Sequence, residues 1–324
     1  MKHQTPNVRP THWLAATIAF LIFTVMQTQA ATNESINRTL DIAPGGTLVV
    51  KVENGRINVT GEAGSGVVIK IDRVIKASSK EKEEAFLAGN PVEIETSGNS
   101  VTITRKGEKG DSWGFSWFRK KPREEATYEI VVPVDFNLEL KTSGGDIAVT
   151  NLKGKTRADT SGGSIRLINL TGDTNIHTSG GSIRINDCHG TTDAHTSGGS
   201  ITTENGSGDL MVKTSGGSIT VRDHNGNING HTSGGSVSAT FKTNPTQPCS
   251  LSTSGGSVNV TLPANAAVDL EASTSGGSVH SEFPDAQPDP KKRNKLSGPI
   301  NGGGPDLKLQ TSGGNIHIKR SGEA

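Results

Sequence analysis

The stretch Thr160-Ser161-Gly162-Gly163-Ser164-Ile165 begins with a tetrapeptide, Thr-Ser-Gly-Gly, that occurs nine times in this 324-residue chain. The nine copies begin at Thr142, Thr160, Thr178, Thr196, Thr214, Thr232, Thr253, Thr274 and Thr311. The first six are spaced by 18 residues without a slip. Self-similarity at a fixed short period predicts a repeat architecture, in which each unit packs only on its neighbours.

The residues around the motif alternate between apolar and polar, as in a half-buried strand. Five positions after the first threonine, every copy has a β-branched residue: Ile147, Ile165, Ile183, Ile201, Ile219, Val237, Val258, Val279 and Ile316. The positions two and four residues before the threonine, and seven after it, are mostly apolar or small. This period-2 alternation predicts two short strands per repeat, with the motif threonine pointing inward.

Glycines mark the two corners that join these strands. One corner is the Gly-Gly pair of the motif, which we expect to turn sharply through conformations that include positive φ. The other is a glycine twelve residues after the threonine, at Gly154, Gly172, Gly190, Gly208 and Gly226. The pattern predicts an all-β fold: a right-handed parallel β-solenoid (β-helix) with about 18 residues and two strands per coil, and ~4.8 Å between coils. Degenerate copies raise the expected number to about eleven coils.

Residues 1–30 have the composition of a signal peptide. Lys2 and Arg9 form a basic start, an apolar run extends from Trp13 to Met26, and Thr28-Gln29-Ala30 offers a cleavage site. The apolar run is short for a membrane span, so we predict export, with the mature chain beginning at residue 31. An uncleaved membrane anchor is the alternative.

Residues 31–324 are predicted to form one β-solenoid domain. Its predicted parts are degenerate coils at 45–140 with insertions at 76–90 and 105–124, regular coils at 141–282, a flexible polar loop at 283–306 and a terminal coil at 307–320. Ile57 with Val59, and Val101 with Ile103, are assigned to the two inward columns that follow the motif.

One short helix is predicted inside the first N-terminal insertion. Ser78 and Glu81 have the spacing of a capping box, and residues 80–88 are good helix formers. Gly89 and Pro91 then end the helix. Such a helix is expected to cover an open edge of the stack, since exposed edges pair with other chains.

The charge balance and the cysteines set two further limits. Removing residues 1–30 removes Lys2 and Arg9, leaving 31 of the 33 basic residues against 32 acidic ones. A net charge near −1 argues against nucleic acid as a partner. Cys188 and Cys249 fall about three coils apart, or ~14 Å, which exceeds the reach of a disulfide, so two unpaired buried thiols are expected.

The second N-terminal insertion is the strongest local candidate for a binding site. It holds both tryptophans of the mature chain among several basic residues. Tryptophan and arginine are favoured at binding hot spots. The predicted partner-binding residues are Trp113, Phe115, Trp117, Phe118, Arg119 and Lys120. Segment 111–123 is expected to reach a membrane interface, a glycan or a protein partner; alternatively, it pairs as an ordinary strand or plugs the flank of the solenoid.

Other polar columns do not point to catalysis. His177, His195 and His231 share an outward column with lysine, serine and glutamine, as a solvated face would. No column is acidic, and the chain has no nucleophile elbow, phosphate-binding loop or HExxH motif. We therefore expect no enzyme activity, no cofactor and no metal site.

The repeat, together with Ile300-Asn301-Gly302-Gly303-Gly304 and the segment from Leu307 to Ile316, resembles a bacterial family of unknown function whose members are labelled putative adhesins. The resemblance covers roughly residues 45–320. It implies a β-solenoid that is exported or membrane-attached, and it brings no catalytic or binding residues with it.

These observations lead to a ranked set of functional hypotheses. The first is a non-enzymatic, exported adhesin or scaffold that binds a cell-envelope or surface component, whether glycan, lipid or protein. The second is a periplasmic envelope-stress or regulatory component that docks a partner protein. The third is a polysaccharide-active β-helix enzyme. Fold analogy alone does not choose among them.

Overall fold

The structure, a computed structural model, describes residues 31–105 and 122–321. These ranges contain 26 β-strands and one α-helix. In chain order they are β1 (Thr32–Leu40), β2 (Gly46–Lys51), β3 (Arg56–Glu62), β4 (Val67–Lys76), α1 (Lys80–Gly89), β5 (Val92–Ser97), β6 (Ser100–Arg105), β7 (Arg123–Pro133), β8 (Phe136–Thr142), β9 (Ile147–Lys153), β10 (Thr156–Thr160), β11 (Ile165–Thr171), β12 (Thr174–Thr178), β13 (Ile183–His189), β14 (Thr192–Thr196), β15 (Ile201–Glu204), β16 (Leu210–Thr214), β17 (Ile219–Arg222), β18 (Ile228–Thr232), β19 (Val237–Thr240), β20 (Cys249–Thr253), β21 (Val258–Leu262), β22 (Val268–Thr274), β23 (Val279–Ser281), β24 (Lys295–Ile300), β25 (Asp306–Thr311) and β26 (Ile316–Arg320).

The strands form two sheets of 13 strands each, which enclose the core between them. Sheet 1 has the order β1-β4-β7-β3-β9-β11-β13-β15-β17-β19-β21-β26-β23. Sheet 2 has the order β24-β22-β25-β20-β18-β16-β14-β12-β10-β8-β2-β6-β5. The antiparallel pairs β1–β4, β4–β7, β5–β6 and β22–β24 lie at the ends of the sheets, and the strands between them run parallel.

The parallel β-solenoid predicted from the repeat is confirmed. Adjacent coils pair in register, with Thr160 opposite Thr178 in sheet 2 and Ile165 opposite Ile183 in sheet 1. Within the described residues the parallel strands make eleven coils, the number expected. The right hand of the solenoid remains a prediction from the general crossover rule.

All nine motif threonines are buried, and the hydroxyl of each donates to a glycine carbonyl of a neighbouring coil. The Thr196 hydroxyl donates to the Gly181 carbonyl of the preceding coil at 2.8 Å and accepts the Gly199 N–H of its own coil at 3.3 Å. A parallel ladder runs along the next column, where the Ser218 N–H donates to the Ser200 hydroxyl of the coil before it at 3.1 Å. These bonds lock neighbouring corners together in a core that is short of large side chains.

The motif glycines are required for a different reason from the one expected. None of them has φ between +20° and +160°. Instead, a Cβ on the second glycine of a motif would meet the backbone of the neighbouring coil, as at Gly163, where it would lie 2.0 Å from the Gly145 carbonyl oxygen. Close approach of backbones, rather than an unusual turn, makes glycine necessary here.

Positive φ occurs at the opposite corner, as it does at Gly154 with φ of 142°. It also occurs in a column that the sequence analysis overlooked, nine residues after the motif threonine. The column consists of Asn151, Asn169, Asp187, Asn205 and Asp223, with φ from 52° to 57°. Asn and Asp tolerate the left-handed region better than other residues with a side chain, so this column sets a third bend in each of these five coils.

Two predictions for the N-terminal region need correction in part. Ile57 and Val59 lie in sheet 1 as assigned, but Val101 and Ile103, although buried, belong to sheet 2. The predicted helix is present as α1. Its N-cap is Ser79, which makes no side-chain capping bond, so the predicted capping box is wrong. Instead of a capping box, Glu83 accepts a hydrogen bond from the Ala77 N–H, just before the helix, at 2.9 Å.

Segment 283–306 was expected to be a flexible polar loop, and this is wrong. It contains β24, which pairs antiparallel with β22 and covers the end of sheet 2. Phe283, Ala286 and Leu296 are buried against the core. The prolines and lysines of the segment favoured the prediction of a loop, although these three apolar residues lie among them.

The coils at both ends are stacked out of chain order. The first coil, β2 with β3, lies between the coil of β6 and β7 and the coil of β8 and β9. The last coil of the chain, β25 with β26, lies between the coil of β20 and β21 and the coil of β22 and β23. The first and the last coil in chain order are therefore each held between two other coils.

The two cysteines are free and buried, as predicted. Burial raises the pKa of Cys188 to about 11, and it also raises the pKa of Cys249. Both thiols are therefore protonated and unreactive in the folded chain near neutral pH.

Candidate functional site at the N-terminal end of the solenoid

The predicted partner-binding residues Trp113, Phe115, Trp117, Phe118, Arg119 and Lys120 lie outside the described residues, as does the predicted signal peptide. The structure does describe the two strands between which this insertion runs. In every regular coil, the Thr-Ser-Gly-Gly corner joins a strand of sheet 2 to the next strand of sheet 1. The insertion joins β6 in sheet 2 to β7 in sheet 1, so it takes the place of that corner in the outermost coil.

Three buried charged residues fix the two flanks of the insertion. Arg105 ends β6, just before the insertion, and Glu124 follows it in β7. The side chains of Arg105 and Glu124 are 3% and 1% exposed, and Arg105 Nη2 lies 2.8 Å from Glu124 Oε2. Arg73 of β4 contacts the other carboxylate oxygen, with Nε 2.8 Å from Oε1. One carboxylate is thus shared by two buried guanidinium groups.

Further partners complete this charged cluster. Arg73 Nη1 donates to Glu34 of β1 at 2.6 Å, and its Nη2 donates to the Asn90 carbonyl at 2.9 Å. Arg105 Nη1 donates to Glu53 at 2.7 Å, and its guanidinium lies 5.7 Å from the centre of the Phe86 ring on α1. The cluster therefore ties together β1, β4, β6, β7 and α1 around the base of the insertion.

The electrostatics of the cluster favour its charged form. Burial acts to lower the pKa of Arg73, but the hydrogen bonds and negative charges of Glu124 and Glu34 raise it on balance. The neighbouring Tyr128 hydroxyl is buried and has no hydrogen-bond partner within the described ranges. Burial, followed by the charge of Glu124, raises the pKa of Tyr128 to about 12, so the phenol stays neutral.

The sequence analysis missed this cluster, although its signal was present. Arg73 continues the buried alternation Val67, Ile69, Ile71, and Arg105 continues that of Val101 and Ile103. Glu124 has the same parity as the buried Ala126, Tyr128, Ile130 and Val132. A charged residue at an inward strand position is the feature that marks all three.

The start of the described chain lies at the same corner. Thr32 of β1 is paired with Ile75 of β4, and Lys76 at the end of β4 is paired with Arg123 at the start of β7. Two strand spacings, or ~10 Å, therefore separate residue 32 from the point where the insertion rejoins the solenoid. The Thr32 hydroxyl donates to Glu83 of α1 at 2.7 Å. The bond from the Ala77 N–H, followed by this bond from Thr32, lowers the pKa of Glu83.

An open groove of about 590 Å³ runs beside the base of the insertion. Its charged lining includes Arg56, Asp72, Glu125 and Asp146. Arg56 lies 4.0 Å from Asp146, and Asp72 lies 3.2 Å from Lys70. The groove is open, and these surface charges are paired with neighbouring side chains.

The outward histidine column is also in the described region. His177 and His195 are paired on neighbouring strands, as expected. His195 Nε2 lies 2.6 Å from Asp193 Oδ1, and His231 Nδ1 lies 2.9 Å from the Ser252 hydroxyl. Within residues 31–105 and 122–321, no group of three or more His, Cys, Asp or Glu side chains is arranged to hold a metal ion.

Fold and site together define a parallel β-solenoid with a buried charged cluster where its outermost coil is interrupted by the insertion. The chain belongs to the Toastrack DUF4097 family, whose model matches residues 46–319. This confirms the resemblance seen in the sequence. No helix in the described ranges combines the length and apolar character needed to cross a membrane.

The chain is also similar to solved structures of bacterial proteins. A structure described as a "putative adhesin" from Bacteroides fragilis is 12% identical, with 89% of this chain and 97% of that chain covered and a TM-score of 0.38. A "putative lipid binding protein" from Parabacteroides distasonis gives the same four values. A "putative cell adhesion protein" from Clostridium sporogenes is 12% identical, covers 89% of this chain and 100% of its own, and has a TM-score of 0.24. No curated protein matches the chain.

Proposed function

We propose that this chain is a non-enzymatic, exported binding protein of the cell envelope, of the adhesin type, and that the insertion at 106–121 is its contact element. The observation that carries the proposal is the buried contact of Glu124 with Arg105 and Arg73. It fixes both flanks of a segment whose composition is aromatic and basic.

The energetics of the cluster support this assignment. Taking charged groups out of water costs several kcal/mol per ion, and hydrophobic residues of similar size hold a fold together equally well. The other ten described coils are joined without any such cluster of ion-paired arginines at the corner. The ion-paired cluster occurs at one corner only among the described coils, and that corner is the one with the insertion. We therefore connect the cluster with the insertion.

The composition of the insertion favours an anionic, partly apolar surface as partner. Trp113 and Trp117 suit the boundary between water and acyl chains, while Arg119 and Lys120 suit phosphate groups. An envelope lipid surface combines both. The second hypothesis, a regulatory component that docks a partner protein, uses the same residues and is separated from the first by experiment.

The test follows the tryptophan emission of residues 31–324 during titration with vesicles. Both tryptophans of residues 31–324, Trp113 and Trp117, lie in the insertion, because Trp13 precedes residue 31. We expect a saturable blue shift with vesicles containing anionic lipid, and its loss in the variant Phe115→Ala with Phe118→Ala. Met211→Ala, at an exposed site on sheet 2, is the matched control and keeps the shift. An emission already blue and unchanged by vesicles would reject membrane binding and direct the search to protein partners.

Export is tested separately. N-terminal sequencing of the protein recovered from cells should start at Ala31. A chain that keeps residues 1–30 would reject cleavage and make this segment an anchor.

A further inference from the structure

The last coil of the chain is an insert within the stack. β25 pairs with β20 on one side and with β22 on the other, and β26 lies likewise between β21 and β23. The coil of β22 and β23 precedes it in the chain, yet lies beyond it in space. We infer that coil 306–320 can leave its slot and that the two flanking coils then pair directly with each other, shortening the solenoid by one coil.

The slot has two walls: the coil of β20 and β21 is the inner wall, and the coil of β22 and β23 is the outer wall. The hydrogen bonds that these walls make to the insert at the motif corner are complementary. The Thr311 hydroxyl of the insert donates to the Gly256 carbonyl at 2.7 Å, and the Thr274 hydroxyl of the outer wall donates to the Gly314 carbonyl of the insert at 2.8 Å. With the insert gone, Thr274 faces the free Gly256 carbonyl. The geometry is the one that every regular coil uses.

The backbone donors and acceptors match in the same way. The Val258 N–H donates to Asn315, and the Ile316 N–H donates to Ser278, each at 3.0 Å. Closing the slot leaves the Val258 N–H opposite the Ser278 carbonyl. Likewise the Gly276 N–H, which donates to Ser312 at 2.8 Å, would find the Ser254 carbonyl that Gly313 now uses. Each of these polar groups thus has a substitute on the opposite wall.

The side-chain columns and the chain length also permit closure. Val258 would stack on Val279, and Thr253 on Thr274, in the register that the insert now mediates. Five residues, 263–267, connect β21 to β22 while climbing two coil spacings. Five residues, 223–227, connect β17 to β18 while climbing one. The connection is therefore long enough for the closed slot.

Outward cysteines can report which arrangement is present. Ser252 and Ser273 both pair with Gln310, from opposite sides, so their Cα atoms are two spacings or ~10 Å apart while the insert is in place. They come within ~5 Å when the slot closes, and a disulfide needs less than ~7 Å. The experiment uses the full chain with Ser252→Cys and Ser273→Cys, in a background where Cys188 and Cys249 are alanine.

Expulsion of the insert is triggered by Gly314→Ala, because its Cβ would lie 2.2 Å from the Gly256 carbonyl oxygen. Gly235→Ala is the matched control: its Cβ meets the Gly217 carbonyl oxygen at the same 2.2 Å, but in a regular coil. We expect the intramolecular disulfide to form readily with Gly314→Ala and to be absent both with Gly235→Ala and without either change. A Ser252→Cys with Gln310→Cys pair, on adjacent strands, shows that the oxidation works.

Hydrogen exchange provides the second readout. With Gly314→Ala, peptides of 306–320 should lose protection, while peptides of 249–262 and 268–281 keep theirs. Loss of protection in all three segments would overturn the inference, because the walls would then depend on the insert. So would a folded Gly314→Ala protein that forms no disulfide, or one whose cysteines link only between molecules.

Discussion

The Thr178 hydroxyl donates a 2.7 Å hydrogen bond to the carbonyl of Gly163, the second glycine of the preceding motif. It also accepts the Gly181 N–H of its own motif at 3.2 Å. One fully buried side chain thus satisfies backbone groups in two successive coils. This bridge explains the threonine of the motif, whereas the close approach of neighbouring coils explains the glycine three residues later.

Thr178→Val should destabilise the fold although it keeps the shape of the side chain. It leaves the Gly163 carbonyl and the Gly181 N–H buried without this partner, which costs about 1–3 kcal/mol. The free energy of unfolding in urea measures the effect. Ser179→Ala, at the exposed next position, should stay near the wild-type value. Equal losses from both changes would show that the hydroxyl bridge adds nothing.

Gly181→Ala and Gly180→Ala should differ sharply although the residues are neighbours. A Cβ on Gly181 would lie 1.9 Å from the Gly163 carbonyl oxygen, whereas one on Gly180 finds its nearest atom at 3.6 Å. Forcing the first into the stack costs about 1–3 kcal/mol or more. Thermal unfolding of the two variants tests this. A Gly181→Ala protein as stable as its Gly180→Ala counterpart would contradict the close packing of coils.

Arg73→Met should be among the most damaging changes at the N-terminal end. It leaves Glu124 buried with one guanidinium partner fewer, and breaking a buried ion pair costs about 3–5 kcal/mol. Lys76→Met removes a half-exposed partner of Glu125 on the same strand and should cost no more than about 1 kcal/mol. Denaturant titration compares the two. Similar small losses would mean that the cluster is not the anchor of the insertion.

Acid should weaken the fold through His224. Burial lowers the pKa of this side chain below its ordinary 6.5, while its Nε2 contacts the Gly208 carbonyl at 2.8 Å. The unfolded chain then binds more protons than the folded one, so this contribution to stability is complete above pH 6.5 and is lost as pH falls through the folded pKa. His224→Leu introduces the residue type found at Leu152 and Leu170 in the same column. It should reduce the loss of unfolding free energy as the pH decreases.

The control for this pH dependence is His177→Gln on the exposed face of sheet 2, which should leave the acid limb unchanged. Chemical unfolding at a series of pH values below 7 gives both curves. An acid limb that persists in His224→Leu would assign it to other groups.

Much of the repeat region could be read from the sequence because each coil is specified by local columns. Period-2 burial, the inward threonines and the number of coils all follow from alternation and spacing. The reason for the motif glycines did not follow, since a clash such as that between Gly163 and Gly145 exists only once coils are stacked.

The order of the coils was not predictable for a related reason. Thr253 pairs with Thr311, and Thr311 with Thr274, so every coil presents the same columns to any neighbour. Interchangeable surfaces carry no information about sequence order. The sheet to which β6 belongs was not predictable either, because Val101 and Ile103 suit an inward position in both sheets.

The out-of-order stacking at the N-terminal end has a consequence for biosynthesis. The coil of β2 and β3 is the first to leave the ribosome, yet both of its neighbours lie downstream, and the later of them ends at Lys153. Residues 46–62 therefore gain their second neighbouring coil only when Lys153 has been made, about ninety residues later. The first coil is therefore completed by strands that are synthesised after it, so its folding depends on downstream segments of the chain.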